Sequence, residues 1–498
     1  MLNLPLIFLV LSGSVYDETP MTINPDPSFL EGTYEEWIQS QPEYVPLTVT
    51  SIAGTDGADF VLIFEEGLTD SLEAGLLDQW TADIASQGLS TEVIEVTYST
   101  PIEMKAYLTD KYNDGLEGAV LVGNLPAPWS AYSDSVAKSS QTFPSDYFYM
   151  DIDGTWEDNW IGYPFQLIPG SDGIYDTFSG TLDPEIYVGR IKVDNLTALG
   201  NPIEILNDYL ERVHEWRLNG DPEPLNALCY VDDDWIPWAY QYQASMQYLY
   251  PNTELVSNAA ATNGTDYLEN RLPDNYVWIS PFVHSSSAYH AWSPGPNTDW
   301  HELVPALPQA HFYNLFACSN ARFTNIHSMG AVYAYCTESS LASVGSTKSG
   351  AMLHFTPFYS PLGTGSTLGE AYRDWWDYIA QGGLSPSELS WHLGMVVLGD
   401  PTLIPAMHML GIEGSGGDAL LPGITFMENP CCGVLSVSYP AEHGTLELYD
   451  TSGRLVATGI LEDSACTLQV GSLNSGYYIA RVTSSGGAAA SASVVVLN

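Results

Sequence analysis

Between Asp59 and Val122 the chain repeats one unit, a short apolar run followed by an amphipathic stretch of helical period. "DFVLIF" precedes "TDSLEAGLLDQWTADIASQG", "TEVIEVTYS" precedes "TPIEMKAYLTDKYNDG", and the wholly apolar "GAVLVGNLP" follows. In the first amphipathic stretch Leu72, Leu76, Leu77, Trp80 and Ile84 share a face. Asp70 is placed to cap its start, and Gly88 stands where a helix stops. Strands that are apolar throughout need cover on both faces, and alternation with helices supplies it in a parallel sheet. The unit therefore predicts an α/β fold with a mostly parallel sheet and helices on both faces.

The alternation resumes after an irregular, acidic and aromatic stretch from Trp129 to Asp183. It runs through "EIYVGRIKV", "LGNPIEILNDYLERVHEWRLNG", "NALCYVDD", a helix around "WAYQYQASMQYLY", then "TELVSNA", "YVWISPFVH" and "HFYNLFAC". We read two α/β subdomains, residues 55–224 and 225–408. A Gly-rich linker covers 409–422, within the polar stretch that contains "GIEGSGGDALLPG". Residues 423–498 hold short alternating runs such as "GTLELYD", "RLVATGI" and "YYIARV", separated by turn residues. That density of strands predicts a small immunoglobulin-like β-sandwich.

At the other end, Leu2 to Leu11 form an apolar run too short to span a bilayer, followed by Ser12-Gly13-Ser14. Residues 1–14 read as a secretory signal, and the protein as exported. Residues 15–54 are an N-terminal extension, either a propeptide or a pairing strand. Thirteen Lys plus Arg face 61 Asp plus Glu, a formal charge of −48. Such a surface repels phosphate backbones and excludes nucleic acid as a partner. No segment has the length of a transmembrane helix.

Six cysteines, Cys229, Cys318, Cys336, Cys431, Cys432 and Cys466, show no paired C-x-x-C spacing, so structural zinc is not expected. One of the vicinal pair Cys431/Cys432 could bridge to Cys466, or all three could be buried thiols. Cys318 stands apart. It ends the apolar run "HFYNLFAC", and His284 ends the run "YVWISPFVH". In an open parallel sheet the ligand crevice lies beyond the carboxyl ends of the strands. If the two strands are neighbours, imidazole and thiol reach the same edge. A nearby imidazole takes the thiol proton, and the thiolate attacks. Backbone N–H groups in the turns after both strands are candidates to hold an oxyanion. Taken alone, each residue is more often a core filler; the pairing is what suggests chemistry.

The order of these features resembles the gingipain family of secreted cysteine peptidases. The resemblance rests on "FVHSSSAYHAW", "LFACSNARF", "GAVYAYCTESSLASVGSTKSG" and "LGDPTL", preceded by "LVGNLPAPW", "SDYFYMDIDGTWED" and "PEIYVGRI". It covers roughly residues 55 to 405 and implies a caspase-like fold. It further implies that Cys318 is the nucleophile and His284 the general base and acid, that the amides of Ser285 and Cys318 face the oxyanion, and that Glu185 orients the histidine. No cofactor is implied for catalysis, and the substrates are proteins or peptides. Where the family has glycine after the histidine, this chain has Ser285, which is strained if the position needs a left-handed φ. The family's basic-residue specificity does not transfer, because Asp194 is the only acid near the strand of Arg190.

"DIDGTWED" alternates oxygen-bearing side chains at Asp151, Asp153, Thr155 and Glu157 around Gly154. It reads as half of a calcium loop or as a solvated acidic turn. "LELYDTSGRLVATG…LNSGYYIARV" resembles the C-terminal sorting domains of the type IX secretion pathway, which implies a meeting with that machinery. Two functions follow. One is an exported cysteine endopeptidase. The other is a catalytically silent surface or adhesion protein that binds through aromatic loops such as "DDDWIPWAYQY".

Overall fold

A computed structural model describes residues 31–134, 139–220 and 225–406, together with the strands of the C-terminal region between 425 and 496. The expected signal peptide (1–14), the linker (409–422), Cys431 and Cys432 lie outside the described residues. One eleven-stranded sheet organises the α/β part. Its strands are β1 (Val49–Gly54), β2 (Phe60–Glu65), β3 (Thr91–Val96), β4 (Gly118–Val122), β5 (Tyr187–Ile191), β6 (Asn226–Val231), β7 (Asn252–Val256), β8 (Trp278–Phe282), β9 (Phe312–Asn314), β10 (Ala342–Ser346) and β11 (Met395–Gly399). The spatial order is β1-β3-β2-β4-β5-β11-β10-β9-β8-β6-β7. Two pairings are antiparallel, β1 with β3 and β10 with β11; the rest are parallel. Two parallel blocks of opposite direction thus meet at β10 and β11. The last strand returns from residue 395 to pair with β5, so both halves share one sheet.

Every residue of β4, β5, β8, β10 and β11 is buried, as the continuous apolar runs demand. The helices start on local chemistry. Thr100 and Glu103 close a capping box on Pro101–Asn113, and Thr367 and Glu370 do so on Leu368–Ala380. One expectation changes. Asp70 sits in a short 3₁₀ turn, and the helix that carries Trp80 begins later, at Leu76, after Gly75 in a left-handed conformation (φ 92°). "MGAVYAY" before Cys336 is a helix, Met329–Tyr335. A short run buried all round fits either element, so periodicity alone does not separate them.

The C-terminal region is antiparallel, in the order Thr425–Phe426, Val434–Ser438, Ala465–Gln469, Leu455–Glu462, His443–Asp450, Gly476–Ser484, Ala489–Val496. The two halves join at one paired position, Glu462 with Ala465, and fill one separate core with Leu435, Leu446, Leu468, Val482 and Val494. Cys466 is buried in that core.

Candidate active site

Register brings together the strands that precede the histidine and the cysteine. Trp278 is paired with Phe312, Ile279 with Tyr313, and Phe282 bridges Phe316. Each partner lies 34 positions on (312 − 278), and the same offset carries His284 to Cys318 (318 − 284). The two chains therefore leave adjacent strands at one edge of the sheet, His284 two residues beyond Phe282 and Cys318 two beyond Phe316. The loops that follow are laced together. Asn320 Nδ2 donates to Ser286 O at 3.0 Å, Asn325 Nδ2 to Ser287 Oγ at 2.8 Å, and Met329 N to Ser287 O at 2.8 Å. Ser319, next to the cysteine, has φ 56°, a tight left-handed turn that a non-glycine residue adopts at a cost of about 1 kcal/mol.

His284 Nε2 lies 2.8 Å from Asp234 Oδ2, and its ring packs on Trp235 with centroids 4.5 Å apart. An ionised carboxylate only accepts, so this contact places the proton of a neutral imidazole on Nε2. Nδ1 is then the basic nitrogen; it is buried and has no hydrogen-bond partner among the described residues. Burial pushes the Cys318 thiol up, and the Glu31 carboxylate pushes it further. The Gly350 N–H and the Lys348 ammonium act the other way, without prevailing. A thiol held protonated needs a base before it can attack, and His284 Nδ1 makes no hydrogen bond to the sulfur.

The acid on the histidine is therefore Asp234, not Glu185. Glu185 precedes β5, four strand spacings from β8, about 19 Å across the sheet. Its Oε2 accepts from the N–H of Ile152 at 2.6 Å and of Asp153 at 3.4 Å. The sequence did carry a signal for Asp234. "CYVDDD" ends β6, the other neighbour of β8, and polar residues at that strand end fall on the same crevice. "DDDWIPWAYQY" then serves the histidine more than a ligand: Trp235 and Tyr242 are buried, and Tyr242 stacks on Phe282 at 4.2 Å.

Ser285 is not strained. It forms an extended bridge with His290 in a short hairpin, and it is absent from the left-handed positions of the chain. Its Oγ lies 2.7 Å from His290 Nδ1, whose Nε2 lies 3.0 Å from Tyr333 Oη. Burial pulls the His290 pKa down to about 3, so this second histidine stays neutral and holds the hairpin. Asp194 is taken by Lys192 at 2.8 Å, and Arg190 is locked into Asp146 by two bonds of 2.7 Å.

At the acidic loop, Asp151, Asp153 and Glu185 place carboxylate oxygens within 4.8 Å of one another. Glu157 does not join them, and Thr155 is its neighbour in one strand. Both lie in the strand Thr155–Glu157, paired with Thr177–Ser179, and Glu157 Oε2 accepts from Asn159 Nδ2 at 3.0 Å. Asp151 already accepts from Gly154 N (3.0 Å) and Trp156 Nε1 (2.6 Å). The buried Lys105 ammonium bonds Asp151 O, its pKa pulled down to about 8 by burial against the pull of Asp151, Glu185 and Asp153. The donor set suits a hard cation, and the Lys105 ammonium offsets part of its negative charge.

Residues 429–496 match the family described as the secretion system C-terminal sorting domain. No curated protein matches the chain. Among solved structures, the Arg-specific cysteine proteinase gingipain R is similar at 14% identity and a TM-score of 0.50, over 90% of this chain and 100% of that one. Dimeric latent PorU from Porphyromonas gingivalis is similar at 11% identity and a TM-score of 0.32, over 89% of this chain and 43% of that one. A DUF3244 protein with an immunoglobulin-like β-sandwich from Bacteroides vulgatus is similar at 14% identity and a TM-score of 0.13, over 14% of this chain and 81% of that one. The α/β part thus has the gingipain, caspase-like fold. The sorting domain marks a protein exported to the cell surface or beyond. Among the described residues no helix is long and apolar enough to cross a membrane.

Proposed function

We propose that the chain is an exported cysteine endopeptidase. The observation that carries this reading is the shared register of His284 and Cys318 at adjoining strand ends, with Asp234 on the far nitrogen of the imidazole. His284 Nδ1 takes the thiol proton as Cys318 Sγ bonds to the peptide carbonyl carbon. The proton then passes to the departing amine as the C–N bond breaks, which leaves a thioester. Water, deprotonated by His284, attacks the thioester and releases the acid product with the thiol restored. Amides of the turns at Ser285 and Cys318 are the candidates to face the oxyanion. A thiol-reactive peptide probe on the full chain tests this. Labelling and peptide cleavage are expected to vanish in Cys318→Ala and in His284→Ala. Cleavage that survives Cys318→Ala sinks the reading, and a folded protein that neither labels nor cleaves is the silent surface protein.

A further inference from the structure

One acid from the N-terminal extension lies at the candidate site. Glu31 Oε2 is 3.4 Å from Arg322 Nη1, and Glu31 Oε1 accepts from Ser287 N at 3.3 Å. The Ser319 hydroxyl also bonds Glu31. The next carbonyl, Gly32 O, accepts from Arg322 Nη2 at 2.9 Å. A dipeptide of this chain is thus held by side chain and backbone together. The groups that hold it come from the loop after His284 and from the turn after Cys318. Glu31 is close enough to the sulfur for its charge to hinder thiolate formation.

Arg322 is built for an acid. Its side chain is 4% exposed, packed over the Trp129 ring at 5.0 Å. Nη1 donates to Thr347 O (3.1 Å) and Nη2 to Thr142 O (3.2 Å), while buried Nε has no hydrogen-bond partner among the described residues. The carbonyls fix the guanidinium without neutralising it, and Glu31 supplies the opposing charge. A buried guanidinium that loses its counter-charge is unstable by several kcal/mol. Were the Glu31 segment to leave, the guanidinium would need another counter-charge in its place.

We propose that Arg322, the Ser319 hydroxyl and the Ser287 amide form a specificity pocket beside Cys318 for a Glu or Asp side chain of the peptide substrate, and that Glu31 occupies this pocket as an internal stand-in. The inference rests on the peptidase reading of the site and deepens it. It departs from the Arg preference named for gingipain R.

Two readouts on the full chain keep the two readings apart. The first is cleavage of matched peptides that carry Glu, Gln or Arg, by the wild type and by Glu31→Gln. The second is calorimetric binding of the same peptides to Cys318→Ala/Glu31→Gln, with and without Arg322→Gln. Hydrogen bonds to a charged group are worth about 1.5–3 kcal/mol, so the Glu peptide is expected to be favoured over the Gln peptide about tenfold or more. Glu31→Gln should raise the rate on Glu peptides, and Arg322→Gln should abolish the preference in a protein that melts as a folded one. Cleavage dependent on Cys318 with no acidic preference overturns the pocket and leaves the peptidase standing. Glu-selective binding without any cleavage overturns the peptidase and leaves the pocket. If Glu31→Gln lowers the melting temperature and alters neither readout, the contact is a structural ion pair and the proposal fails.

Discussion

Asp234→Asn should slow peptide cleavage only a few-fold, and the structure supplies the reason. The His284–Asp234 contact is 2.8 Å, yet the Asp234 side chain is 61% exposed. An ion pair in that setting is screened by water and is worth about 0.2–1 kcal/mol, which corresponds to a factor of about 1.4 to 5 in rate. The imidazole is held by a second, drier contact: Trp235 is 4% exposed and packs against it at a tilt of 57°. Trp235→Ala should therefore lower kcat by more than Asp234→Asn does, while His284→Ala abolishes turnover. The assay is kcat and KM on one fluorogenic peptide at low and high salt, with the alkylation rate of Cys318 measured alongside. The small loss in Asp234→Asn should sit in kcat and should shrink as salt rises. A loss of a thousandfold, matching His284→Ala, would falsify the screened-contact reasoning; no loss at all would remove Asp234 from the positioning of the histidine.

Arg190→Met leaves Asp146 charged and 1% exposed, so urea unfolding should show a loss of about 3–5 kcal/mol. Ser285→Gly, which restores the family's residue, should lose about 1–3 kcal/mol because buried His290 Nδ1 goes unpaired; it should bring no gain in kcat, since Ser285 is already unstrained. Burial raises the Asp232 carboxyl to about 7 from 3.8, so the fold favours its protonated form. That contribution is fully present below about pH 4 and is lost as pH climbs through 7. Asp232→Asn keeps an acceptor for the Ser293 N–H (3.0 Å) and should stabilise the protein by about 1–3 kcal/mol at pH 8 but not at pH 4, read from melting curves at both.

Much of the architecture was legible because each strand is buried on both faces and its own residues say so. "DFVLIF", "GAVLV" and "YVWISPF" are apolar without interruption, and Thr100 and Thr367 cap helices by contacts three residues long. The adjacency of the strands that lead to His284 and Cys318 was legible for a related reason. Their 34-residue separation equals the strand register, so a position at a strand end stands for a position in space. The helix before Cys336 was not legible, since a seven-residue run buried all round has no polar face to reveal its period.

What the sequence by itself determined is the class of sheet, the ends of its strands and the two residues placed there. Only the tertiary structure decided which acids reach them. Asp234 stands 50 residues from His284, and Glu31 stands 256 from Ser287 and 291 from Arg322. Glu185 looked better placed in the linear order but lies four strands away. Strand order across a sheet is set by packing between elements far apart in sequence, and no local pattern records it. A single carboxylate, chosen from 61 acids, acquires its role only where that packing puts it.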